Sequence, residues 1–487
     1  MNNINTTCDL VIFGAKGDLS CRKLLPSLYQ LEKNKKLSKD MRIIGVGRAQ
    51  WDKKDYLKIV RQSLKKFMKE KIEEDIWKIF SFRFEFCNLD VNNTNNFFEL
   101  KKMFHDINKL IIYYFAMPQN TFSAICKGLK KTRLNVEPSR IIIEKPLGSS
   151  LKTSKKINSD ISKYFKENQV FRIDHYLGKE TILNLLTFRF SNSLFYYNWN
   201  NNFIDHVQIT ISEDIGVEGR NEYFDNAGQI RDMVQNHMLQ ILTTITMSQP
   251  IDLCSNSIKD EKIKILQALR PFKDTNIQEK IILGQYSSNV INGKKISSYL
   301  EDIGKNSSSN TETFVSMKVN IDNKQWIGVP FYLRTGKRML KKHSEIVISF
   351  KHSSTNIFNK NYPNLPTNKI IIFLQPNEGI TIKILNKFPE LEFNYKLNTI
   401  DLNFNYAKHF KSLKLFDAYE RLLLESIRGN HSLFVRRDEV ELAWNWIDSI
   451  FDALKLRKQP LFLYPSGTWG PISSNDMLKK DGYNWNE

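Results

Sequence analysis

An acid and an imidazole stand side by side in the run RIDHYLGKE, where Asp174 and His175 end an apolar stretch and Lys179 follows four residues on. A second histidine, His237, lies in IRDMVQNHMLQIL, which reads as a mainly apolar helix with Asp232, Asn236 and His237 near its start. A carboxylate paired with a distant imidazole is the minimum equipment for general-base chemistry, because it fixes the ring tautomer and stabilises the imidazolium that forms. Taken alone, His237 reads as a hydrogen-bonded core histidine. Lys145 adds a cation in EKPLG, and RTGKRMLKKH adds Lys337 and Lys342, which by themselves read as solvated charge.

A second chemistry is written near the start of the chain. VIFGAKGDLSCRKLLPSLYQL sets Gly14 and Gly17 between an apolar run and an amphipathic one. Glycine lets a phosphate approach the backbone, and a helix N-terminus offers unpaired N–H groups with a partial positive charge. A tight strand-to-helix turn explains the same residues without a ligand. The next apolar run ends in GVGRAQ, with Arg48 where enzymes preferring NAD carry an acid for the ribose hydroxyls. An arginine there can pair with a 2′-phosphate in a bidentate way, which favours NADP over NAD.

These residues need elements to hold them. Runs at 8–14, 42–48, 82–90, 110–118, 140–148 and 170–178 alternate with longer amphipathic stretches, the pattern of βαβ units. Continuous apolar runs such as LIIYYFAM fit strands buried on both faces of a parallel sheet, whose ligands sit beyond the carboxyl ends of the strands. The expected class is α/β: a Rossmann-like, doubly wound parallel sheet over 1–178, then an α+β domain over 179–487. In the second part FIDHVQITISE, TFVSMKVNI, PFYLRTGK, EIVISF, KIIIFL and ITIKIL follow through short turns and suggest a large, mainly antiparallel sheet. Two closing helices are expected in DAYERLLLESIRG and RRDEVELAWNWIDSIFDALK, and the polar patch KNSSSNTET reads as a surface loop. The boundary falls inside RIDHYLGKE, which makes that motif a candidate for an interdomain cleft, a common place for small-molecule sites.

Composition limits the partners. At 487 residues, 41% hydrophobic and 12% aromatic, the chain is long enough for two domains and too apolar to be disordered. Its net charge of +20 raises nucleic acid, an anionic membrane or an anionic small substrate as partners. The basic residues are interleaved with acids, as in KKDYLKIVRQSLKKFMKEKIEEDIWK, which reads as a solvated helix face. A localised basic arm or anchor is not visible. Five cysteines without a C-x-x-C pair suggest neither a metal site nor a disulfide framework. With no secretory pattern and no apolar run near the ~20 residues that span a bilayer, a cytoplasmic protein is expected.

GAKGDL, EKPLG, RIDHYLGKE, FDNAGQIRDMVQNHMLQ and PFYLRTGKRM, in that order over nearly the whole chain, resemble the glucose-6-phosphate 1-dehydrogenase family. The resemblance implies hydride transfer from C1 of glucose 6-phosphate to NADP, giving 6-phosphoglucono-1,5-lactone, the entry step of the oxidative pentose phosphate pathway. By position, His237 matches the family's base and Asp174 its carboxylate partner. His175, Tyr176 and Lys179 match the sugar-phosphate pocket; Glu213, Asp232, Lys337 and Lys342 match further substrate contacts. Lys145 matches the lysine reaching both substrate and nicotinamide, and its bond to Pro146 is cis in relatives. Gly14, Ala15, Lys16, Gly17, Asp18 and Leu19, with Arg48, Asp90 and Val91, match the cofactor site. The resemblance further implies a homodimer or homotetramer, and in a chain of bacterial type no second, structural NADP is expected. Cys21 departs from the pattern, standing where many relatives carry a basic residue.

Two rival readings remain at this stage. Another two-domain sugar oxidoreductase with an E-K-P lysine would carry G-x-G-x-x-G and act on unphosphorylated sugars, so the His175–Lys179 cluster discriminates. A basic nucleic-acid-binding protein would need a localised patch and a steep salt dependence of binding.

Overall fold

Six short runs rich in β-branched and aromatic residues form the strands β1 (Cys8–Phe13), β2 (Arg42–Gly47), β3 (Phe84–Asn88), β4 (Leu110–Phe115), β5 (Arg140–Ile143) and β6 (Val170–Ile173). They pair in parallel in the order β6-β5-β4-β1-β2-β3. Every residue of β1 and β4 is buried, as expected of central strands covered by helices on both faces; β4 is apolar or aromatic throughout, and β1 departs from that only at Asp9. The strand order reverses between β1 and β4, so the turn leaving β1 opens at a topological switch point. The computed structural model describes residues 7–273, 275, 277–304, 309–352, 357–358, 362, 365–391, 395–410, 416–457 and 459–487; residues 305–308 of the polar patch lie outside them.

The chain divides into two compact units. The first comprises Met1–Gly178, Pro250–Asp260 and Phe416–Glu441; the second comprises Lys179–Gln249, Glu261–Leu415 and Leu442–Glu487. The first unit's opening segment ends at Gly178, and two later segments, Pro250–Asp260 and Phe416–Glu441, count with it. One physical reason is a two-residue strand, Phe434–Val435, that pairs antiparallel with β6 and adds a seventh strand to the sheet edge. The preceding helix, Ala418–Arg428, feeds the same region: its Ser426 and Ile427 carbonyls accept from Arg140 at 2.7 and 2.8 Å.

The second unit is built on a nine-stranded sheet. Its middle strand, β7 (Ile204–Ser212), pairs in parallel with Phe331–Gly336 and antiparallel with His343–Phe350. The remaining pairs are antiparallel except that of Leu461–Pro465 with β8 (Ile281–Ser287), so the sheet is mainly antiparallel as expected. Packed with it are the Asn221–Gln229 helix and the segment Ile230–Thr246.

Two helical expectations change. The charged run after residue 52 is not one helix but two, Lys53–Phe67 and Glu74–Phe82. The break is held from outside, because Lys33 reaches Glu70 at 2.8 Å and Glu73 at 2.7 Å, while the Glu73 amide donates to the Tyr29 hydroxyl. The residues around His237 are wound as a π-helix over Ile230–Met238 before α-helix resumes at Leu239–Thr246. Winding with i to i+5 hydrogen bonds brings residues five apart, such as Asp232 and His237, nearer to one side than an α-helix would. Among the described residues no helix is long and apolar enough to cross a membrane.

Candidate active site

In the first unit the glycine turn is a close-packed corner. Gly14 has φ +87°, and a Cβ there would sit 2.4 Å from the Ala116 carbonyl just past β4. Its amide and that of Ala15 donate to the Val46 carbonyl at 3.1 and 3.2 Å, and Gly17 donates back to Gly14. Gly14 is therefore required by the crevice between adjacent strand ends as much as by any ligand. The turn then opens towards solvent: Lys16 and Asp18 are exposed, and helical winding begins near Leu19. The Lys16 ammonium lies 5.5 Å from the centre of the Trp51 ring, and Arg48 is exposed at the end of β2. Asp90 caps the amide of Asn92 beside the buried Val91. A bend no side chain can fill, with two exposed cations on it and at the neighbouring strand end, fits a phosphate-rich dinucleotide.

The carboxyl ends of β5 and β6 carry the next group. Lys145 follows β5 and precedes Pro146 across a cis peptide bond. Its neighbour Glu144 accepts from the Tyr114 hydroxyl, and enclosure raises the Glu144 carboxyl above its ordinary value despite that bond. Tyr419 hydrogen-bonds the same carboxyl; burial, then Glu144 itself, pushes its phenol well up. β6 ends at Ile173, so Asp174 stands past the strand and not within it, with its Oδ1 accepting from the Tyr176 amide at 3.0 Å. That bond holds the buried carboxylate at the head of the turn His175–Gly178. His175 is half-buried, 5.0 Å from the ring of the buried Tyr176 and 6.3 Å from that of Tyr419.

In the second unit, three expected residues meet. The Lys337 ammonium lies 2.6 Å from Glu213 and 3.9 Å from Asp232, with the Phe224 ring centre 5.1 Å away. Tyr223 donates to Asp232 at 3.3 Å, and burial followed by that carboxylate raises its phenol. A lysine set against two carboxylates makes a patch able to grip a polyhydroxylated molecule with donors and acceptors alternating. His237 lies on the same segment as Asp232, almost fully buried, with its amide held by the Asn236 side chain. Lys179 points its ammonium to the Leu374 carbonyl and to Gln375, each within 3.4 Å. Lys342 is exposed.

A family model for the glucose-6-phosphate dehydrogenase NAD binding domain matches residues 11–184, and one for the C-terminal domain matches 186–486. The chain belongs to the glucose-6-phosphate dehydrogenase family. A glucose-6-phosphate 1-dehydrogenase of Buchnera aphidicola subsp. Baizongia pistaciae is 64% identical over 100% of both chains. Another, of Dickeya dadantii, is 55% identical over 99% of this chain and 98% of its own. Among solved structures, a glucose-6-phosphate dehydrogenase in complex with its substrate glucose-6-phosphate has a TM-score of 0.90 at 32% identity, covering all of both chains. The glucose-6-phosphate 1-dehydrogenase of Mycobacterium avium has a TM-score of 0.85 at 28% identity, covering 99% of each chain. The contacts bring in two side chains that sequence reasoning passed over, Tyr223 on Asp232 and Gln375 at Lys179. Tyr223 sits one residue before the quoted FDNAGQIRDM motif, and Gln375 lies in QPNEG, a turn-like run whose glutamine and proline were the available signal.

Proposed function

We infer that this protein oxidises C1 of glucose 6-phosphate to 6-phosphoglucono-1,5-lactone with reduction of NADP, the first step of the oxidative pentose phosphate pathway. The observation that carries the reading is likeness along the whole chain to relatives of that activity, with the five quoted motifs in order along it. The lysine-and-carboxylate cluster of Lys337, Glu213 and Asp232 supports it.

The turn of Gly14, Ala15, Lys16, Gly17, Asp18 and Leu19, with Arg48, Asp90 and Val91, would hold NADP, which when bound supplies the nicotinamide carbon that accepts the hydride. His237 takes the proton of the C1 hydroxyl as the C1–H bond breaks, and Asp174 is the carboxylate assigned to keep that imidazole oriented. Lys145 binds near the reacting hydroxyl. Glu213, Asp232, Lys337 and Lys342 hold the sugar, while Lys179, His175 and Tyr176 take the phosphate. That group is remote from C1, so its contacts contribute binding energy that fixes the ring for reaction. The five cysteines are free, which suits a reducing cytoplasm, and a homodimer or homotetramer is the assembly to test by light scattering.

Initial rates with the purified protein test the reading. Glucose 6-phosphate with NADP should be turned over at least about a thousandfold better in kcat/KM than free glucose, a loss of roughly 4 kcal/mol of phosphate binding. Comparable rates on free glucose would overturn it.

A further inference from the structure

Lys337 and the His237 segment come from stretches about a hundred residues apart, and one dipeptide touches the backbone of both. The Glu312 carbonyl accepts from the Gln229 amide at 3.0 Å, and its carboxylate Oε1 accepts from the Ile230 amide at 3.1 Å, where the segment Ile230–Met238 begins. The next carbonyl, of Thr313, accepts from the Lys337 amide at 2.9 Å, and the Tyr464 hydroxyl closes on the Lys337 carbonyl from the other side at 2.6 Å. Gln229 adds a side-chain tie to Thr335, two residues before Lys337, at 2.8 Å.

The carboxylate is fitted to its place. Gly228 has φ +70°, and a Cβ there would lie 2.4 Å from Oε1 of Glu312, so the bend before the segment is shaped around this side chain. An anionic group at the start of a helical segment meets unpaired amides and the positive end of its dipole. Burial raises the carboxyl, against the backbone hydrogen bond from Ile230 and, more weakly, the charge of Arg231, which favour the ionised form. Such a group is kept at a desolvation cost, and what it obtains here is a fixed start for the segment carrying Asp232 and His237.

We propose that Glu312 is a positioning residue for the sugar half of the reaction, setting the His237 segment in register with Lys337. The proposal rests on the activity inferred above. Wild-type turnover of glucose 6-phosphate tests that activity by itself, so the two can fail separately.

The experiment compares Glu312→Ala and Glu312→Gln with the wild type by steady-state kinetics, varying each substrate in turn. A misplacement of about 1 Å among reacting groups costs up to about a hundredfold. Glu312→Ala should therefore lower kcat/KM for glucose 6-phosphate at least about twentyfold while the KM for NADP stays within about twofold. Glu312→Gln, whose amide oxygen can still accept from Ile230, should return to within about threefold of the wild type. A wild-type-like alanine variant, a KM for NADP raised as much as that for glucose 6-phosphate, or a glutamine variant no better than alanine would each overturn the proposal. Should Glu312→Ala fail to fold, Glu312→Asp serves, since the charge stays but the oxygens withdraw by one methylene. It should show the same one-sided loss, of at least about fivefold, and unchanged constants would count against the proposal.

Discussion

Lys337 is the side chain on which the proposed sugar end of the site turns. Its ammonium is nearly buried and compensates two carboxylates at once, Glu213 at 2.6 Å and Asp232 at 3.9 Å. Replacing it with methionine keeps an unbranched side chain of similar length beside Phe224 but leaves those acids with their common cation gone. An anionic substrate then meets net negative charge there. Lys337→Met should raise the KM for glucose 6-phosphate at least about tenfold, roughly 1.4 kcal/mol, with a smaller effect on the KM for NADP. A sugar KM unchanged in initial-rate measurements would remove Lys337 from the binding role. Lys337 was legible in the sequence only through the motif that holds it, since its local pattern reads as solvated charge. Glu312 and Tyr223 were not legible at all. Their partners lie at distant positions or on a π-helical face, and neither leaves a period that the sequence displays.

At the scale of elements, the sequence announces strands better than their ends. All six parallel strands lie inside the runs read from the alternation of apolar and amphipathic stretches, because a strand buried on both faces must be apolar throughout. The residues proposed for the site begin where that pressure stops: Gly14 follows β1, Arg48 follows β2, Lys145 follows β5 and Asp174 follows β6. The antiparallel strand Phe434–Val435 was hidden, since two residues carry no pattern and its partner β6 lies far away in sequence. The turn after β1 yields a sharp test. Gly14→Ala would hold an L-residue at φ +87° with its methyl 2.4 Å from a backbone oxygen, so the turn must shift. Left-handed strain alone costs about 1–2 kcal/mol. The variant should melt several degrees lower and bind NADP at least about tenfold more weakly by titration calorimetry. Wild-type affinity and melting together would show that the crevice is not tied to the cofactor.

The whole molecule carries +20 net charge, which by itself argues for solubility and weak nonspecific binding and not for a particular partner. Much of the positive charge is tied locally: Asp9, buried in β1, takes both Arg42 and Lys109, and Arg83 is locked on Glu32. Basic surroundings nonetheless reach His431, in the segment that returns to the first unit. Its ring stacks on Phe171 with centres 3.9 Å apart, and its Nε2 donates to the Asn168 carbonyl. Burial first, then Lys259, lowers its pKa from the ordinary 6.5 to about 4. Between those values the unfolded chain binds a proton that the folded chain does not, so stability is full above pH 6.5 and falls as pH drops towards 4. Discounted for the solvent that reaches the ring, the loss is about 1–2 kcal/mol. Glu144 and Glu312 act in the opposite sense, because their raised carboxyls favour the folded state as pH falls towards the carboxylate range. The clean comparison is therefore a difference between variants. His431→Phe keeps an aromatic on Phe171 and removes the titrating group, so its denaturant midpoint should fall less between pH 6.5 and 4 than that of the wild type. Parallel pH profiles for the two proteins would mean that His431 takes its proton equally in both states, and that acid destabilisation arises elsewhere in the molecule.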